Sequence, residues 1–311
     1  MNAKLNVDPA LCEAVVEEAA RIGSHAGIES FGRAVRQALD PLYEMPVAKR
    51  QPAFESAYRR LFKEWGYEAL LLRALDEYPE IFRAGVTEGV SFRAPSRPNE
   101  AGADLGGPGN AMAGIAVAVA LFRDPAALAR FLRHEIQHLV DLLDPAFAYT
   151  RDPGRVLCTA TTENAVRERL RLFWSITVDG RIAARGLPPL RSNDEWATLL
   201  ARALPNVAFD SARECAERLW NRGLVPFPEL LAFARQPART LFGAAATHGF
   251  VAGDPCPLCR FPTRRLVAIA PGTLSTKDLA AIREVVSDFD PEMGACERCV
   301  ESFAVAGAFE S

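Results

Sequence analysis

The chain has 311 residues, 49% of them hydrophobic and 24% charged, with a net charge of -3. That composition is ordinary for a globular protein and supports one large core or two to three smaller ones, which excludes a disordered or low-complexity chain. An acidic total also argues against a protein held mainly by nucleic-acid phosphates, although a local basic patch is compatible with it.

The first stretch, MNAKLNVDPALCEAVVEEAARIG, has no basic region followed by an apolar one and no small-residue cleavage site. It reads as an amphipathic helix with Asp8 as N-cap, Pro9 in the first turn and Gly23 as the stop. Apolar residues recur at three- and four-residue spacing in IESFGRAVRQAL and FESAYRRLFKEWGYEALLLRAL, so helices are expected from Asp8 to about Phe82. His25 falls in the turn after the first helix, with no assigned function. Between Phe92 and Gly109, FRAPSRPNEAGADLGGPG reads as a loop. Its glycines lack the Gly-Lys-Ser/Thr ending of a phosphate loop and the dinucleotide fingerprint. The longest apolar run, Ala111 to Phe122, is shorter than the about 20 residues that span a bilayer. The chain is therefore expected in the cytoplasm, with no membrane partner.

GIAVAVALF reads as a buried strand or an Ala-rich helix. Asp124 and Pro125 then start the helix PAALARFLRHEIQHLVDLL, whose Leu128, Phe131, Leu132, Ile136, Leu139 and Leu143 form a buried face. Further helices are expected at TTENAVRERLRLFWSI, SNDEWATLLARAL, DSARECAERLW and FPELLAFARQPARTLF, with a turn at VDGR after the first of these. No period of 20 to 50 residues repeats, so the chain is no solenoid. The expected class is α+β, mostly helical.

Within the helix, RHEIQH places His134 and His138 four residues apart, on one face, where two imidazoles can reach one ion. Glu135 beside them is placed to take a proton from a water on that ion, the chemistry of the His-Glu-x-x-His zinc hydrolases. A catalytic zinc takes three protein ligands. Asp144 is one candidate, but a helix running to Leu143 rotates it off the histidine face and makes it the helix end before Pro145. The motif followed by ENA in TTENAVRERL resembles the gluzincins, thermolysin-like zinc peptidases in which a glutamate on a second helix completes the site. The resemblance implies Glu163 as third ligand, preferred over Asp144 and Glu168. Asp141 reads either as a carboxylate holding a ligand imidazole or as a solvated one. Tyr149, His248 and the arginines of VRERLR are candidates to stabilise an oxyanion.

Seven cysteines in a cytoplasmic chain are thiols or metal ligands rather than disulfides. Cys12, Cys158 and Cys215 read as small buried residues. Cys256 and Cys259 in DPCPLC, with Cys296 and Cys299 in GACERC, are two halves of a four-thiolate zinc site. Between them lie an expected strand, RRLVAIA, and a helix capped near Ser275 or Thr276, while CERCVESFAV resembles the cysteine pair leading into a helix in ribbon or treble-clef modules.

The combination resembles zincin-like metallopeptidases with a C-terminal zinc module. It implies a helical region at 1-91, a zincin-like domain at 92-245 and a four-cysteine domain at 246-311. Two zinc ions are expected, one catalytic at His134, His138 and Glu163 and one structural at the cysteines, with a peptide or protein as substrate. The alternative is a non-catalytic chain whose C-terminal module binds a partner protein or nucleic acid.

Overall fold

Asp8 accepts the N–H of Ala10 at 2.8 Å and starts the first helix, as its place before Pro9 predicts. The computed structural model describes residues 5–25, 29–82, 89–97, 100–106, 112–150, 160–204, 207–235, 237–242, 256–259, 261, 263, 266, 267, 269, 274–285, 289, 291 and 294–302; at 24, 25, 29, 106, 112, 160–165, 238, 239 and 285 the backbone alone is described. These residues fall into two compact units, Met1–Pro145 with Gly186–Leu190, and Ala146–Arg185 with Arg191–Ser311. The chain is mostly helical, with one small four-stranded sheet and a two-stranded one.

The first unit holds α1 (Pro9–His25), α2 (Glu29–Leu39), α3 (Val47–Glu64), α4 (Tyr67–Asp76) and α5 (Pro125–Leu143) around a sheet of β1 (Leu5–Val7), β2 (Gly89–Arg93), β3 (Gly102–Gly106) and β4 (Met112–Ala116). His25 is thus the last residue of α1 rather than part of the turn beyond it. The strand order is β1-β2-β4-β3, with β1, β2 and β4 parallel and β3 antiparallel at the edge. The expected loop between Phe92 and Gly109 therefore contains a strand. Gly, Ala and Asp in GADLG carry almost no intrinsic strand preference, and β3 forms because β4 pairs with it across the whole segment. GIAVAVALF divides between β4, whose Ala113 and Ile115 are buried, and a 3-10 turn at Val119–Arg123.

Asp124 accepts the N–H groups of Ala126 and Ala127 at 2.9 and 3.1 Å, and Pro125 opens α5 where its missing N–H costs nothing. The helix ends at Asp144, in extended backbone before Pro145, as expected. Leu128, Phe131, Leu132, Ile136 and Leu139 sit in the core of this unit. Arg133 clamps Glu77 just past α4 with two bonds of 2.6 and 2.8 Å, fixing α5 one residue before the histidine pair.

The second unit holds α6 (Ala160–Ala184), α7 (Asn193–Ala203), α8 (Phe209–Trp220), α9 (Phe227–Arg235), α10 (Pro237–Leu241), α11 (Thr276–Val285) and the pair β5 (Leu266–Val267) with β6 (Ala295–Cys296). The turn expected at VDGR is absent: α6 runs straight through it, and Gly180 serves packing instead. A Cβ at Gly180 would stand 2.7 Å from the carbonyl carbon and 2.9 Å from the Cα of Trp220, so only glycine lets α8 come this close. Among the described residues no helix is long and apolar enough to cross a membrane.

Candidate functional site

On α5 the polar face is not turned to water. His134, Glu135, Gln137, His138 and Asp141 are all buried, Asp141 to 1% exposure, alongside the apolar residues of the same helix. Burying five polar side chains on two and a half turns is costly unless each is bound, which marks this face as something other than surface. Asp141 is accordingly not the solvated carboxylate that one sequence reading allowed, and its Oδ1 receives Gln137 Nε2 at 3.5 Å. It does not become a surface group because α5 continues past it inside the unit's core.

The one-turn separation of the two histidines brings their Nε2 atoms to 3.1 Å, with ring planes at 77°. Tetrahedral zinc with Zn–N of about 2.0–2.1 Å holds ligand nitrogens roughly 3.3 Å apart, so the pair has the spacing of two ligands of one ion. Glu135, the residue after His134, is buried with its Oε2 accepting the backbone N–H of Ala103 in β3 at 2.8 Å. Within the first unit no further described His, Cys, Asp or Glu joins the pair. Asp144 is the C-cap of α5, in extended backbone. Glu168 is exposed on α6. Glu163 lies in the first turn of α6, where its side chain is outside the described residues, as are His248 and Cys158. Tyr149 is half-buried with its ring edge-on to Phe227 at 5.1 Å, and of the VRERLR arginines Arg169 is buried while Arg167 and Arg171 are exposed.

The four paired cysteines come together. The sulfurs of Cys256, Cys259, Cys296 and Cys299 all lie within 4.8 Å of one another, and Cys259 and Cys296 are 3.7 Å apart. Zn–S bonds of about 2.3 Å at tetrahedral angles put sulfurs roughly 3.8 Å apart, so the cluster can hold a metal ion such as zinc. Two turns and a short ladder do this. Cys256 N–H donates to the Phe261 carbonyl at 2.9 Å, closing the first cysteine turn, and β5 pairs with β6 so that Cys296 stands opposite Leu266. Burial pushes the Cys256 thiol up, but the N–H groups of Cys296, Cys259 and Leu258 outweigh it and hold its pKa below the ordinary thiol value. Burial, with Cys296 and Cys259 beside it, raises Cys299. Four thiolates this close repel one another, so full ionisation of the cluster requires a cation. Of the scattered cysteines, Cys12 and Cys215 are buried as expected.

The sequence reading passed over Ala103, because the contact is made by a backbone N–H in a segment with no strand pattern. Comparison of the chain with protein-family models, curated proteins and solved structures finds no match.

Proposed function

We propose that this protein is a zinc-dependent hydrolase that cleaves a peptide or protein bond. The observation that carries the reading is the arrangement on α5: two buried imidazole nitrogens at ligand spacing, with a buried glutamate at the position after the first histidine. In this reading His134 and His138 are ligands, Glu163 the third, and the resemblance to gluzincins supplies that last assignment. Zinc in such a site supplies Lewis acidity, polarising a carbonyl and bringing the pKa of a coordinated water towards neutrality. Glu135 receives a proton as water oxygen adds to the acyl carbon, then passes it to the amine nitrogen as the C–N bond breaks. Tyr149, His248 and the arginines of VRERLR are the candidates that the sequence offers to meet the developing oxyanion.

The four-cysteine cluster is proposed as a second, structural zinc site that organises residues 246-311, and the cytoplasm as the compartment that keeps its thiols reduced. A non-catalytic role, in which that module binds a partner protein or nucleic acid, is the outcome if the histidine site proves inert.

The test combines metal analysis with activity on a mixed quenched-fluorescent peptide pool. The wild type should carry about two zinc ions per chain and His138→Ala about one, as expected for one open and one closed site. Glu135→Gln should keep both ions and lose activity by about a hundredfold or more, the usual contribution of a general base. Equal activity in Glu135→Gln and wild type would sink the reading.

A further inference from the structure

Two cavities adjoin between α1 and the 3-10 turn that precedes α5. They share Glu18, Val119 and Arg123 as a common wall, and none of their lining residues is a candidate metal ligand. The larger, of about 590 Å³, is a groove edged by charge, with Glu17, Glu18 and Arg21 of α1 and Arg123 of the turn along it. The smaller, of about 210 Å³, extends to α2 and α4 and is walled by Ile22, Phe31, Tyr67 and Phe122. Packing fixes these rings: Tyr67 and Phe122 meet edge-on with centres 5.7 Å apart, and Phe31 meets Trp65 at 4.5 Å. An apolar cavity of about 150 Å³ is already enough to take up benzene, so the recess has room for one ring with a short chain.

The charges along the groove are unevenly committed. Arg21 grips Glu18 through Nε and Nη2 at 2.8 and 2.9 Å, and Arg123 Nη2 reaches the same carboxylate. Glu17 accepts the Tyr58 hydroxyl at 2.5 Å. One carboxylate thus serves two guanidinium groups. Arg123 has no other ion pair among the described residues, and a guanidinium carries five N–H donors, so it keeps donors to spare. Its side chain is 49% exposed, and an ion pair in that setting contributes little, so an incoming anion can share Arg123 with Glu18 or take it over at small cost. A cationic edge beside an aromatic recess is complementary to one kind of guest. We propose that this cleft binds a small organic carboxylate with an apolar body, the carboxylate on Arg123 and a ring or short hydrocarbon chain in the recess beside Phe31, Tyr67 and Phe122. A neutral or cationic molecule of the same shape fills the recess but gains nothing from Arg123, and an anion without the body gains nothing from the rings.

The probe is 4-phenylbutyrate, titrated calorimetrically into the full-length zinc-loaded chain. Its alcohol and amine analogues, 4-phenylbutan-1-ol and 4-phenylbutylamine, supply the same body without the anion, and acetate supplies the anion without the body. The acid should saturate one site per chain. The alcohol, the amine and acetate should each bind at least about tenfold more weakly, the smallest factor expected when a hydrogen bond to a charged group or a buried ring is lost. Arg123→Gln should weaken the acid by about tenfold or more and leave the alcohol unchanged, with the circular dichroism of wild type. Absence of saturable acid binding overturns the proposal, as does an acid affinity no better than that of the amine or of acetate; both are read on the wild type alone. Undiminished acid binding in Arg123→Gln overturns it too, and loss of that binding in His138→Ala would then put the carboxylate on an ion at the histidine pair.

Discussion

Glycine at position 180 illustrates how one residue can carry opposite meanings in sequence and in space. In VDGR it looks like a turn signal, since Asp-Gly pairs favour turns. In the folded chain it lies inside α6 and is the point where the backbone of α8 touches that helix. The atoms it meets are main-chain atoms of Trp220, which no rotamer change can move aside. Gly180→Ala should gain helix propensity of up to about 1 kcal/mol and still destabilise the protein, because overpacking against backbone typically costs about 1–3 kcal/mol or more. Chemical denaturation of the variant checks this; a midpoint above wild type would mean that the helices do not meet at this residue. The histidines of α5 illustrate the reverse case. Their closeness in space was legible because an i, i+4 spacing on a capped helix fixes geometry locally. Ala103 was illegible because its contribution is a peptide N–H, which every non-proline residue has.

At the scale of elements, most helices were legible, as was the strand in RRLVAIA that forms β5, whereas β1 and β3 were not. Asp124-Pro125 before α5 and Ser192 before α7 are local signals: Ser192 Oγ accepts Glu195 N–H at 3.3 Å, and Glu195 returns a bond to Ser192 N–H at 2.8 Å, a complete capping box. By contrast β1 has three residues and β3 is GADLG, and each exists through its pairing partner rather than its own pattern. The cap supplies a prediction with a sign. The bonds from Ser192 hold the Glu195 carboxyl below its ordinary pKa, so the folded state favours the ionised form. That part of the cap's stabilisation is present above the ordinary glutamate value and is lost as pH falls through the lowered, folded one. Ser192→Ala should cost about 1 kcal/mol at neutral pH, and less at acid pH once the pH has fallen through the lowered, folded value. Urea midpoints of wild type and variant at the two pH values measure the difference; an unchanged gap would assign the cap to the serine hydroxyl alone.

Across the whole molecule, the two candidate metal sites stand in different energetic settings. The histidine pair is embedded in the first unit's large core, which includes Leu132, Ile136 and Leu139 of the same helix, so hydrophobic burial holds the site together whether or not an ion is bound. Among the described residues around the cysteines, the buried apolar ones are Ile269, Leu274, Ile282, Phe289 and Ala295 with Cys256, beside a ladder of two residues per strand. Small modules built around a four-thiolate cluster commonly fold on their metal. Chelation should therefore act unequally. With a strong zinc chelator at neutral pH, residues 256–302 should become cleavable by a low level of protease, while the fragment containing α1 to α5 remains intact and keeps its helical circular dichroism. Cys259→Ser should reproduce the cleavage without chelator and lower the zinc content by about one ion per chain, since three thiolates close a structural site poorly. Uniform protection of both parts after verified zinc loss would mean that the cysteine cluster is stabilised by packing and that its metal serves some other purpose. Cleavage confined to the cysteine region would identify its ion as part of the fold and leave the histidine site as the place to look for chemistry.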